Sequence, residues 1–91
     1  MLDCATERQW IFEAIDDERD YQEGKWGTSF DDKNTANDWV TYINQYASEA
    51  AQLDFDDEIF AQKMVKVAAL ATAALEAQKR NGGLPPRHYD V

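Results

Sequence analysis

Between Glu58 and about Arg80, apolar residues recur at helical spacing on more sides than a single neighbouring helix can cover. Phe60, Met64, Val67, Ala68, Ala71, Ala74 and Leu75 make one stripe, and Val65, Ala69, Leu70, Thr72 and Ala73 widen it around the cylinder. A surface helix normally carries a narrower apolar stripe facing one core. The alanines also let another helix approach closely. The pattern predicts a long core helix with a subunit interface along it, hence a homodimer or homotetramer formed through residues 58–80. With 91 residues the chain is expected to be one domain. A domain this short buries too little surface to be more than marginally stable, and oligomerisation is a common remedy.

Upstream, two more helices are expected. Good helix formers run from Thr6 to about Glu23, with Trp10, Ile11, Ala14 and Ile15 at helical spacing. Thr6 is a candidate cap, and Gly24 and Gly27 are expected to end the helix. Residues 27–34 read as a polar connector. Thr35 and Asp38 then form a capping-box pattern, with Asp in place of the usual Glu. The second helix is expected over Ala36 to Gln52, with Trp39, Ile43, Tyr46, Ala47 and Ala50 on one face. Asp54 or Asp56 can cap the third helix, and Asp57 and Glu58 suit its positive end. Lys79 and Arg80 suit its negative end, and Asn81-Gly82 is a stop signal. Pro85 and Pro86 bar a helix in the C-terminal residues. No strand signal of useful length occurs. The expected architecture is all-α, with two long core helices plus an N-terminal helix, one helical domain over 1–80 and an irregular tail over 81–91.

Charge narrows the possible partners. Asp and Glu outnumber Lys and Arg by 18 to 9, for a formal charge of -9. Such a surface repels polyphosphate backbones, so no nucleic acid polymer is expected as a partner. A small phosphorylated ligand needs only a local cluster of donors and stays open. Cys4 is the single cysteine, which excludes an internal disulfide and fits a reducing cytosol. No basic-then-apolar leader begins the chain. Its longest apolar stretch, Val67 to Leu75, is far short of the ~20 residues of a membrane span. A soluble, cytoplasmic protein without a membrane partner is expected.

Few residues advertise chemistry. The acidic runs Asp31-Asp32-Lys33-Asn34 and Asp54-Phe55-Asp56-Asp57-Glu58 lack the central glycine and closing glutamate of a calcium loop, and read as connectors and helix starts. His88 has no evident nucleophile partner. Tyr42, Gln45, Glu49 and Gln52 form a polar ridge along the second helix, and Lys63 and Lys66 lie beside the apolar stripe of the third. Taken alone, these are a solvated face with a Glu–Lys pair. Trp10 and Trp39 suit a core or an interface; Trp26, between glycines beyond a helix end, is freer.

Three stretches carry a resemblance: Asp17-Glu-Arg-Asp-Tyr-Gln-Glu-Gly-Lys-Trp-Gly27, the helix Trp39 to Gln52, and Met64-Val-Lys-Val-Ala-Ala-Leu-Ala-Thr-Ala-Ala-Leu-Glu-Ala77. Together they resemble the short, often phage-encoded branch of the MazG-like all-α nucleoside triphosphate pyrophosphohydrolases. The resemblance implies a helical dimer or tetramer. It also implies a magnesium site built from Glu-Glu-x-x-Glu on one helix and Glu-x-x-Asp on the next, since magnesium wants hard oxygen ligands and bridges the phosphates under attack. On this chain the first two glutamates fall at Gln45 and Tyr46, the third at Glu49, and the Glu-x-x-Asp pair at Lys63 and Lys66.

That exchange points to a protein that binds a nucleotide or nucleotide-derived signal without cleaving it, with no catalytic residue and no cofactor. Lys63 and Lys66 would meet phosphate oxygens, Trp26 or Tyr46 would stack a base, and Gln45 would read its edge beside Glu49. Two alternatives stand beside it. One is an acidic module that docks on a host protein, helped by electrostatic steering. The other is a magnesium-dependent pyrophosphohydrolase whose metal site has moved to Glu49 with Asp38, or to Glu18.

Overall fold

The computed structural model describes residues 4–52 and 56–87. Every regular element among them is helical: α1 (Cys4–Trp26), α2 (Thr28–Lys33), α3 (Ala36–Gln52) and α4 (Asp57–Asn81). The all-α expectation holds, with four helices where three were expected. Asp54 and His88, to which the sequence suggested roles, lie outside the described residues.

The helix ends show why the chain folds in this order. α1 begins at Cys4, so Thr6 lies inside it and does not cap it, and Gly24 is carried within the last turn. Gly27 ends the helix, with φ 83° and ψ 166°, a combination that is essentially open to glycine alone. Its amide donates to Glu23 O at 2.8 Å. The turn lets residues 28–33 wind into α2, where a connector was expected. Side-chain patterning could not reveal α2, because its anchor is tertiary: buried Asp31 accepts from Arg19 Nη2 of α1 at 3.1 Å.

Asn34 is extended, and α3 starts with the expected capping box. Asp38 Oδ2 accepts from the Thr35 amide at 2.9 Å, and Thr35 Oγ1 accepts from the Asp38 amide at 3.3 Å. Asp56 caps α4, its Oδ1 accepting from the amides of Glu58 and Ile59 at 3.0 and 3.1 Å. At the far end Gly82 is left-handed (φ 70°), and the Gly83 amide returns to Gln78 O at 2.8 Å, closing a Schellman turn. This turn brings Leu84 back against the core.

α4 is the central element: among the described residues α1, α2 and α3 each pack on it, and α1 does not pack on α3. The core joins Trp39 of α3 to Leu70, Ala73 and Ala77 of α4, with Tyr42, Ile43, Tyr46, Ala74 and Leu84 around them. One expectation changes here. The face of α4 that enters the core is Ala69, Leu70, Ala73 and Ala77, while Phe60, Met64 and Leu75 of the expected main stripe are exposed. Small residues won the inward face because the Trp39 indole needs the room that alanines leave.

α1 runs parallel to α4. Glu18 meets Lys66 and Arg19 meets Glu76, while Ala14 shares a hollow with Ala61. The first turns of α1, before about Trp10, therefore project past the start of α4. The molecule is 51 Å long, against ~37 Å for the 25 residues of α4 alone. Its radius of gyration is 14.9 Å, where a compact domain of this length has roughly 12 Å. No helix among the described residues is long and apolar enough to cross a membrane.

Candidate functional site

Residues 39, 42, 45 and 46 recur three to four apart and so share one face of α3. Opposite them on α4 stand Leu70 and Ala73, and the short side chain of Ala73 cannot fill the space between the helices. α1 contributes Gln22 and Trp26 to the rim, and the glycine turn at 27 folds Phe30 and Asp31 of α2 over the end. These ten side chains enclose a cavity of about 240 Å³. Five of its walls are aromatic rings. Trp26 and Phe30 stack with centroids 6.1 Å apart, and Trp39 meets Tyr42 edge-on at 6.5 Å.

The polar part of the wall is held from behind. Arg19, itself buried, donates from Nη2 to Asp31 and to Glu23 (3.3 Å), and from Nε to Glu76 at 2.6 Å. This fork ties α2 to α1 and α4. Burial pushes the Asp31 carboxyl above its usual range, and the guanidinium of Arg19 opposes that shift without cancelling it. Gln22 is also buried. Its Nε2 donates to Glu18 Oε2 at 3.3 Å, while its Oε1 has no partner among the described residues. The indole Nε1 of Trp39 is likewise buried without a partner among them.

Beside the cavity, Tyr46 carries the two lysines. Lys63 Nζ lies 5.3 Å and Lys66 Nζ 5.9 Å from its ring centroid. Lys63 donates to Glu49 Oε1 at 2.7 Å and Lys66 to Glu18 Oε2 at 3.2 Å. Gln45 Nε2 reaches the other Glu49 oxygen at 3.4 Å. The hydrogen bond from Lys63 holds the Glu49 carboxyl below its usual range.

The six residues singled out in the sequence therefore fall in one neighbourhood but in two groups. Trp26, Gln45 and Tyr46 line the cavity, whereas Lys63, Lys66 and Glu49 stand at its margin around the Tyr46 ring. Sequence reasoning missed Arg19, Gln22 and Asp31. The Glu18–Gln22 and Arg19–Glu23 pairs at i, i+4 were visible, but nothing local told that their face meets α2 and α4. Tyr42 belonged to an expected polar ridge; it packs on the core instead.

These residues do not fit a magnesium ion. Glu49 and Glu18 each hold an ammonium group, and Asp38 is committed to its capping box. Among the described residues no three His, Cys, Asp or Glu side chains converge. A divalent cation there would face two lysines within a residue's reach. No family model, curated protein or solved structure matches the chain.

Proposed function

We propose that this chain binds a nucleotide, or a signal derived from one, without hydrolysing it. The base enters the aromatic cavity, and the phosphate lies outside over Lys63 and Lys66. The observation that carries the reading is Tyr46, whose ring is at once a wall of the cavity and the surface beneath both ammonium groups. A ligand with a flat ring and an anionic tail spans that divide. Pockets for drug-sized ligands run to ~300–1,000 Å³, so about 240 Å³ suits a base rather than a whole nucleotide.

Each lysine spends one donor on a carboxylate and has two left for phosphate oxygens. Glu49 and Glu18 offset the lysine charges, so the phosphate gains hydrogen bonds more than net attraction. An open cavity supports this reading over an acidic docking module, which needs no hollow. MazG-like ancestry, a phage origin, action in the host cytoplasm and assembly as a homodimer or homotetramer along α4 belong to the same proposal.

Titration calorimetry against linear and cyclic nucleotides tests it. Binding should weaken about tenfold in Lys63→Ala and Lys66→Ala, as for loss of one charged hydrogen bond. No pyrophosphate should be released with magnesium present. Absence of heat across the panel would overturn the proposal.

A further inference from the structure

A second hollow lies between α1 and α4 alone, and no residue of α2 or α3 lines it. It is an open groove of about 670 Å³. Ala14, Asp17 and Tyr21 stand on its α1 side, and Glu58, Ala61 and Val65 on its α4 side. Both sets follow the same spacing, three residues and then four. Each helix therefore presents one continuous face over about two turns, about 10 Å. The floor between them is small. Ala14, Ala61 and Val65 leave room for another backbone to come close, since interaxial distance follows side-chain size at the contact. Trp10, one turn before Ala14 on the same face of α1, is exposed and extends the apolar strip.

The edges of this groove are acidic, and their charge is unspent. Asp17 and Glu58 are exposed, and their side chains make no ion pair or hydrogen bond with a described residue. Among the residues lining the groove Lys66 is the only cation, and Glu18 beside it answers its charge at 3.2 Å. α1 as a whole carries seven acidic residues against three basic ones, and one of the three, Arg19, is buried in its pair with Asp31. The groove thus joins an apolar floor to carboxylates on both edges. A small hydrated cation would use the acids and ignore the floor. A purely apolar segment would bring nothing to the carboxylates. A second copy of this chain carries the same charge of -9 and would set like charge against these edges.

We infer that the α1–α4 groove docks a basic amphipathic helix of a partner protein, its apolar ridge on Ala14, Ala61 and Val65 and its cationic flanks over Asp17 and Glu58. Two helices that each offer a three-and-four face leave the place of a third, and a helix lays its own ridge into such a groove. Arginine suits the edge better than lysine, because the exposed Trp10 ring offers a face to a guanidinium. The negative field of α1 speeds the encounter and suppresses acidic competitors. This docking does not depend on a nucleotide: the aromatic cavity takes Gln22 and Trp26 from another face of α1, and Glu18 and Lys66 stay paired with each other.

The test is fluorescence anisotropy of the full chain with a labelled synthetic helix of about 18 residues, leucines along one face and arginines and lysines on its flanks. A scrambled peptide of the same composition and one with serine for leucine are the controls. The basic amphipathic helix should bind about tenfold or more tighter than either control, and more weakly as salt rises. Asp17→Asn combined with Glu58→Gln should weaken it about fivefold. Ala61→Phe, which fills the floor, should weaken it about tenfold or more. All three positions are exposed, and far-ultraviolet dichroism with a thermal melt verifies folding of each variant. No binding of the amphipathic helix, equal binding of either control, or affinity unchanged by both variants would overturn the assignment, since the attraction would then belong to acidic surface in general. A dimer in sedimentation that Ala61→Phe returns to a single chain would overturn it as well, because a second copy would then occupy the groove. Nucleotide binding, present or absent, alters none of these outcomes.

Discussion

Arg19 and Asp31 show how a single pair can decide the shape of a small domain. Both side chains are under a tenth exposed, at 7% and 9%. A buried pair adds little beyond what apolar residues of that volume would supply, but breaking it strands a charge. Arg19→Met should therefore cost ~3–5 kcal/mol at neutral pH, by urea unfolding, because Asp31 is left ionised and unpaired. The cost should shrink on acidification, since a proton can then take the guanidinium's place. In the unmutated chain the Asp31 carboxyl is raised from 3.8 by burial, so the folded state binds its proton more readily than the unfolded one. Its contribution to stability rises as pH falls through that raised value and levels off below 3.8. Asp32 next door behaves oppositely. Hydrogen bonds from Arg80 and then Asn81 lower it from 3.8, so what it contributes is complete above 3.8 and is lost as pH falls through the lowered folded value. Arg80→Met should make the acid limb of the stability profile shallower below about pH 4, and an unchanged limb would show that Asp32 gains nothing from its partner.

Among elements, the helix ends are where local chemistry spoke most clearly. α3 occupies the expected residues because Thr35 and Asp38 satisfy each other's amides whatever lies elsewhere. α4 starts at Asp57 under the cap of Asp56, and Asp56→Ala should cost ~1 kcal/mol and lower the melting temperature by ~4–8 °C in a differential scan. Gly24 sits in the last turn of α1 with open space around its Cα. Gly24→Ala should raise stability by about 0.5 kcal/mol in the same experiment. What stayed illegible depended on contacts between elements. α2 reads as a connector because five polar residues around a single Phe30 have no periodicity of their own, and its helix is held by Arg19 from α1. The buried face of α4 lies roughly 145° around the helix from the expected main stripe, since an all-round apolar helix does not announce which side meets Trp39. In the candidate site the lysines and Gln45 were singled out through the family resemblance, since their placement on helix faces alone reads as a solvated surface. Gln22 and Asp31 became visible only once α1 and α2 closed the cavity.

At the scale of the whole molecule, the apolar inventory does not match what one chain buries. The buried apolar residues among those described are Trp39, Ala69, Leu70, Ala73 and Ala77, of which only two are large. Burying a large apolar side chain contributes ~1.5–3 kcal/mol, so this core is thin against the entropy of ordering four helices. Meanwhile Leu75 is 64% exposed, Phe60 48% and Met64 41%, with Val67, Ala68 and Ala71 half-buried between them along one line of α4. Trp10, Ile11 and Phe12 stand exposed on the N-terminal half of α1, near the start of α4. Large exposed apolar patches on a soluble domain mark interaction surfaces. The proposed subunit contact along α4 joins two such lines, with the projecting turns of α1 free to reach the second copy. A dimer or tetramer predicts a sedimentation mass of two or four times 10.4 kDa and a melting temperature that rises with protein concentration. Leu75→Glu buries a charge at that contact and should return the mass to a single chain, with a lower melting temperature that no longer depends on concentration. The same substitution on a monomer would change a solvent-facing residue and move stability by less than about 0.5 kcal/mol. An unmutated chain that sediments as one copy across the accessible concentrations, and melts no differently from Leu75→Glu, would show that α4 meets no second copy.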